Sequence, residues 1–497
     1  MRLRGRWTIP AAAIAAGALA APPTLAGASP PRVRELQAIS GRTPFRGGCG
    51  VPGQPTPSSE AEPYIAVDPA DPRHLVATWQ QDRFAVDGGD LANLVAVSSD
   101  GGRTWRRGRV RGVSRCTGGE DERASDPWLA IGARGRTTLM GNLTFDEIPA
   151  LSGLAAPTQQ RASRSTNLGA SFAPPVTIAA DGAYNDRESV TVDPTRPGHA
   201  YFVWVKRYGT FGESGLDMFS RTVDAGKTWS PERVIQAPPT GTLPDPTLVE
   251  VLPNGELLNL YLQANLTPFL PAGSPIVPWQ VMAARSRDAG SHWSAPIGIG
   301  SIGHPFAPED PTTGTQVRAY PVISAAVAPS GEAYVVWNEI KSKRSSRIFL
   351  SRSGDGGIDW SPPKPIAIVS TQAFLPSIAV ARDGTIGVTW DAFTGDRRGD
   401  HKLTTRVWFA RSLDGGRRWR RIPIGGPFDM LSTSPTSSTG ITGRFVGDYQ
   451  GLAGRRHDFV AVFAEGRAIH RRRTGAPRVH GPSDIIFARL VPGRRRR

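Results

Sequence analysis

Apolar and polar positions alternate along this chain in short runs, and the runs come in pairs. YIAVDPADPRHLVATW, ending at Trp79, reads as an apolar strand, a turn of Asp and Pro, and a second strand closed by an aromatic residue. The unit recurs as SVTVDPTRPGHAYFVW to Trp204, TLVEVLPNGELLNLY to Tyr261, VISAAVAPSGEAYVVW to Trp337 and SIAVARDGTIGVTW to Trp390. A weaker copy, WLAIGARGRTTLM, ends at Met140, and a last one runs from Tyr449 through a turn near Arg455 to Phe463. β-Branched and aromatic residues alternating between turn formers predict strand–turn–strand. A third apolar run follows, as at residues 94–97, 218–221, 348–352, 407–411 and 485–489.

Most of these third runs lead into an octapeptide with the pattern Ser/Thr-x-Asp-x-Gly-x-x-Trp. It appears as SSDGGRTW, TVDAGKTW, SRDAGSHW, SGDGGIDW and SLDGGRRW, centred on Asp100, Asp224, Asp288, Asp355 and Asp414. STNLGASF is a decayed copy with Asn167 for Asp and Phe172 for Trp. Successive centres lie 67, 57, 64, 67 and 59 residues apart, so one supersecondary unit of about sixty residues is repeated. Short polar side chains bond the amides of a tight turn, Gly supplies positive φ, and Trp anchors the turn in apolar surroundings. The five Asp residues are therefore expected to be buried turn residues, remote from any pocket and without a catalytic role.

Seven strand-turn-strand units against six octapeptides predict an all-β, seven-bladed β-propeller of four-stranded antiparallel blades. The last unit, DIIFARL, stops without its outer strand, and residues 33–39 are expected to supply it. The octapeptides resemble the Asp boxes, or BNR repeats, of the sialidase-like propeller superfamily over residues 61–490. Sialidases are six-bladed, so a six-bladed sialidase-type propeller is the alternative. The Arg-Ile-Pro signature that opens sialidase domains is absent, and Glu62-Pro63-Tyr64-Ile65 stands in its place.

Composition adds compartment and partners. Arg2, Arg4 and Arg6 precede an Ala-rich apolar stretch and Ala26-Gly27-Ala28. That pattern predicts a signal peptide over residues 1–28 and a secreted protein. Residues 29–60 then form an extension closing the ring, 61–490 the propeller and 491–497 a basic tail. Two cysteines, Cys49 and Cys116, suit a disulfide in an exported chain, with two separate thiols as the alternative. The formal charge is +16, but the arginines are scattered outside 471–473 and 494–497, without the aromatic interleaving of a nucleic-acid module. A glycan or glycoconjugate is the expected partner of a monomer, with no nucleic acid and no membrane. No cofactor is called for, and no compact calcium loop assigns a metal.

Inner strands should start at one face, carrying Glu62, Asp126, Asp186-Arg187-Glu188, Asp245, Tyr320 and Asp448-Tyr449, with Leu375 breaking the series. Loops after the second strands return to the same face with Gln81-Asp82-Arg83, Lys206-Arg207, Glu339 and Asp391. The sialidase resemblance implies three arginines for a substrate carboxylate, a Tyr nucleophile assisted by Glu, and an Asp as acid/base. By position these are Arg187, Arg318 and Arg444; Tyr320 or Tyr449 with Glu339 or Glu188; and Asp126. The candidate catalytic set is Asp126, Tyr320 and Glu339. The candidate binding set is Arg187, Arg318, Arg444, Asp186, Asp245, Asp391 and Asp448. The competing readings are a glycoside hydrolase, a non-catalytic binding propeller and an assembly factor.

Overall fold

The computed structural model describes residues 30–132, 137–146, 157–209, 214–265, 278–394, 401–438, 441–469, 477 and 479–493; the expected signal peptide and both arginine runs lie outside them. Among the described residues the regular structure is strand, apart from short 3-10 turns. The strands pair in seven four-stranded antiparallel units. In the first, Glu60–Val67, Leu75–Arg83, Asp90–Ser98 and Arg106–Arg109 follow one another outward. A single bridge between Asp90 and Ala124 joins it to the second unit. The inner strands of the next five units are Arg123–Ile131, Tyr184–Val192, Thr242–Val251, Ile323–Val327 and Ala373–Val380.

The seventh unit consists of Gly451–Gly454, Phe459–Glu465 and Asp484–Val491, with Arg32–Ala38 antiparallel to Asp484–Val491 as its outermost strand. Each inner strand packs beside the next, and Gly451–Gly454 packs beside Glu60–Val67, so the order of neighbours closes on itself. The aromatics expected to end the second strands, Trp79, Trp204, Tyr261, Trp337 and Trp390, lie at mid-strand instead and are all buried. The four tryptophans are the largest fully buried side chains among the described residues.

Two further connections tie distant parts of the ring together. Cys49 and Cys116 form a disulfide across a sequence separation of 67 residues, tying the amino-terminal segment to the turn between the first two units. Closing a loop of that length stabilises the folded chain by about 4 kcal/mol in the chain-entropy account. A small three-stranded sheet brings Gln316–Val317 parallel to Ile441–Phe445, which pairs with Ser434–Ser438. It joins the approach to the fifth inner strand to the approach to the seventh.

The Asp boxes close the turns between third and fourth strands, but burial is distributed differently from the expectation. The Ser or Thr is buried, and its hydroxyl accepts from the box glycine amide at 2.8–3.0 Å, as in Ser98 to Gly102 and Ser353 to Gly357. The Asp carboxylates are partly or fully exposed, and Asp288 borders an open groove with Trp293, Ile297 and Ile358. Asp100 Oδ1 still accepts from the amides of Arg103 (2.9 Å) and Thr104 (3.0 Å), and bonds from Thr104 hold its carboxyl below the usual range. At Gly102, φ is +88° and a Cβ would come within 2.2 Å of the Phe487 ring, so no other residue fits. Ser98→Ala should therefore cost about 1–3 kcal/mol, leaving a buried amide unpaired, and Asp100→Ala only about 1 kcal/mol. Denaturant unfolding of the two variants checks the order.

Several carboxyls are buried inside the sheets. Burial pushes Asp217 and Asp391 up to about 8 and Glu465 up to about 7. Such groups keep protons in the folded chain that the unfolded chain releases near pH 4, so the stability they confer is complete below about pH 4 and is lost as pH rises toward 8. The melting temperature should accordingly be several degrees higher near pH 5 than near pH 8.5. A flat profile across that window would contradict the burial of these acids as neutral groups.

Candidate functional site

The inner strands share a local irregularity where they begin. Pairing slips between Ala61 and Tyr64, Ser125 and Trp128, Asp186 and Ser189, Pro244 and Thr247, and Phe374 and Ser377. Inside these bulges Glu62, Asp126, Arg187 and Leu375 take positive φ values of 51°, 48°, 59° and 52°. Proline follows in Glu62-Pro63, Asp126-Pro127, Asp245-Pro246, Tyr320-Pro321 and Leu375-Pro376, where a ladder donor is not required. A bulge re-aims one side chain out of the alternation of its strand. Here the bulged Glu62, Asp126 and Arg187 line cavities while Leu375 packs in the core, and non-glycine residues in that conformation hold backbone strain of the kind found at functional sites.

Two adjoining cavities result. One is lined by Glu62, Arg83, Ser125, Asp126, Tyr184 and Asp448, the other by Arg187, Arg207, Asp245, Trp279 and Tyr320, and both touch Asp186 and Arg318. An ion network fixes them. Arg187 Nε lies 3.2 Å from Asp245 Oδ1 and its Nη2 3.2 Å from Asp448 Oδ2. Arg318 Nη2 lies 3.0 Å from the same Asp448 oxygen. Arg207 pairs with Asp186 at 2.9 Å and with Asp245. The small sheet adds the Phe445 ring, over which the guanidiniums of Arg83 and Arg318 sit at 3.8 and 4.7 Å from the centroid.

The network sorts the carboxyl groups electrically. Burial, then the charges of Asp126 and Asp448, push Glu62 well above the usual carboxylate range. Burial acts on Asp448 in the same direction, but Arg187, Arg318 and Arg83 together hold it below its ordinary value. The two are in contact, since Asp448 N donates to Glu62 Oε1 at 3.2 Å. A neutral carboxylic acid and an ionised carboxylate thus face one cavity, an arrangement that separates acid and base roles. Asp126 borders the same cavity and accepts from Ser125 Oγ at 2.6 Å.

Of the residues expected at this site, Asp126, Asp186, Arg187, Asp245, Arg318, Tyr320 and Asp448 come together. Burial pushes the Tyr320 hydroxyl up to about 12. Arg444 does not join them: its Nη1 donates to the Thr433 carbonyl at 3.2 Å, while only its backbone oxygen reaches Arg318 N. Glu339 accepts from Gly303 N at 3.0 Å and borders neither cavity, so it is not a cavity partner for Tyr320. Asp391 is buried and accepts from Gln450 Nε2 at 2.8 Å. Glu188 is buried, with burial and then Asp126 raising its carboxyl. Tyr449 donates to Pro127 O at 2.9 Å. Glu62, Arg83 and Arg207, left outside the predicted set, stand in the network; Glu62 shares the strand-start position of Asp126, which was the available signal.

The four-stranded antiparallel sheets, with inner strands in closed order, define the class: an all-β propeller fold. No known family profile and no curated protein matches the chain. Among solved structures it is similar to a protein of unknown function from Dyadobacter fermentans, at 13% identity over 93% of this chain and 99% of that one, with a TM-score of 0.48. It is also similar to the Hadza microbial sialidase Hz136, at 15% identity over 84% and 73% with a TM-score of 0.46. A third is the GH93 α-L-arabinofuranosidase of Fusarium graminearum in complex with arabinobiose, at 17% identity over 72% and 92% with a TM-score of 0.45. Likeness at this level carries no argument about activity.

Proposed function

We propose that this chain is an exported, seven-bladed propeller that binds a glycan at the charged mouth and cleaves a glycosidic bond there. Seven sheets with inner strands in closed order support the blade count. The basic, apolar and small-residue amino terminus and the Cys49–Cys116 disulfide support export. The observation that carries the activity is Glu62, a neutral acid bordering the same cavity as the carboxylates of Asp126 and Asp448. Glycoside hydrolysis uses such a pair, an acid to protonate the leaving oxygen and a carboxylate to act on the sugar or on water. Glu62 is the proton donor and Asp126 the second carboxylate, while Asp448 holds the arginines.

The arginines decide the substrate class. Arg187 and Arg318 each already face Asp448, and Arg187 and Arg207 face Asp245. A sialic acid carboxylate would have to displace a buried protein carboxylate, so neutral glycosides are the substrates of this reading. The same pairing favours a second reading, a non-catalytic glycan- or protein-binding propeller whose network is scaffold alone. Release of methylumbelliferone from a panel of neutral pentosides and hexosides, with the sialoside alongside, separates them. Turnover of a neutral glycoside and none of the sialoside is expected; glycan binding without any turnover would leave the binding module.

A further inference from the structure

Apart from the charged mouth, the chain holds a second space of different chemistry. A cavity of about 260 Å³ is lined by residues from all seven inner strands. Six of these strands end their sheets and the second unit's is bridged to its neighbour only at Ala124, so the edges that line the cavity are free of strand pairing. Three aromatic residues contribute one side of the lining. Tyr64 and Trp128 stack with centroids 4.0 Å apart, and Tyr449 meets Trp128 at 5.1 Å and 67°. Glu250, from the fourth inner strand, is the one charged side chain in the lining. Burial alone raises its carboxyl, to about 8, and its charge is felt by Tyr64 in the first unit. Among the described residues no hydrogen bond or ion pair reaches the Glu250 carboxyl group.

Ionised, Glu250 faces the cavity without a counter-charge, so a cation there would bind with loss of the Glu250 proton, most favourably above about pH 8. Size decides which kind. A bare metal ion needs several oxygen ligands at about 2.0–2.6 Å. This cavity has room for roughly eight waters at about 30 Å³ each and offers one carboxylate. Among the described residues no group of three or more His, Cys, Asp or Glu gathers to hold a metal. A cation of several heavy atoms fits better. An alkylammonium donates N–H to a carboxylate and to unpaired backbone carbonyls, and spreads its charge over carbons that favour an aromatic face.

We propose that the cavity enclosed by the inner strands is a binding site for a small organic ammonium ion, held between Glu250 and the aromatic group of Tyr64, Trp128 and Tyr449. Isothermal titration calorimetry of the purified chain with ethylammonium and choline chlorides tests it, with potassium chloride, calcium chloride and ethanol as comparisons. Saturable binding of an ammonium ion is expected, with no binding of ethanol and affinity at least tenfold lower in Glu250→Gln. Glu250→Asp keeps the charge but withdraws it by one methylene, and should bind at intermediate affinity; it serves as the second variant if melting curves show Glu250→Gln unfolded. Absence of saturable binding of both ammonium ions, unchanged affinity in the variants, or a preference for potassium or calcium overturns the proposal. None of these readouts depends on glycoside turnover, so the two readings fail separately.

Discussion

Glu62→Gln should lower turnover of a glycoside with a sugar or alkyl leaving group by about 10²–10⁴-fold, the usual contribution of a general acid. The loss should be much smaller for a dinitrophenyl glycoside, whose leaving group departs without a proton. That contrast separates loss of the acid from loss of the site. Folding should survive, because Gln matches the neutral form of Glu62 in charge and shape, and its amide oxygen can still accept from Asp448 N. The contact from Gln80 Nε2 to Glu62 is what the variant loses, at about 1 kcal/mol. The pH profile supplies a second check. Rate should fall on the alkaline side as Glu62 ionises, well above the usual carboxylate range. In Glu62→Gln that alkaline limb should vanish. Equal losses with both leaving groups would remove Glu62 from the acid role.

How much of the fold and site was readable in the chain depends on the range of each interaction. The Asp boxes, the recurring aromatics and the missing last strand are local or periodic features, and Arg32–Ala38 lies where the incomplete last unit required a strand. The strand starts were readable too, because every repeat but the sixth, with Leu375, places a charged or aromatic residue there, often before proline. Side-chain pairing was not. Arg444 precedes the seventh inner strand as Arg187 falls within the third, but Ile441–Phe445 pairs with Gln316–Val317, and that long-range pairing carries its guanidinium to Thr433. Glu339, expected in a loop after a second strand as Arg207 was, lies within that strand as Arg207 does, yet it caps Gly303 N in the neighbouring unit. Burial of the box carboxylates was overestimated for a related reason: the motif shows which groups bond, and solvent decides which of them it covers.

Arg187→Met should destabilise the chain by about 3–5 kcal/mol, the cost of removing one partner from a buried ion pair. Sequence position placed Arg187 in the candidate binding set, a role whose loss alone would spare folding. The network reverses this, because Arg187, with only 13% of its side chain exposed, lies between Asp245 and Asp448 and both lose a counter-charge with it. Arg318 remains for Asp448 and Arg207 for Asp245, which sets the upper end of the range. Arg444→Met, which gives up one bond to a carbonyl, should cost only about 1 kcal/mol. Denaturant unfolding of both variants, and of Arg187→Met combined with Asp448→Asn, measures the coupling: the double variant should recover part of the loss, since no unpaired Asp448 carboxylate remains. The pH dependence has a defined sign. Asp448 titrates lower in the folded chain than in the unfolded one, so its pairing stabilises above the ordinary aspartate range and is lost as pH falls through the folded value. The gap between wild type and Arg187→Met should therefore be widest near neutrality and close in strong acid. A gap that persists unchanged in acid would place the cost in packing rather than in charge.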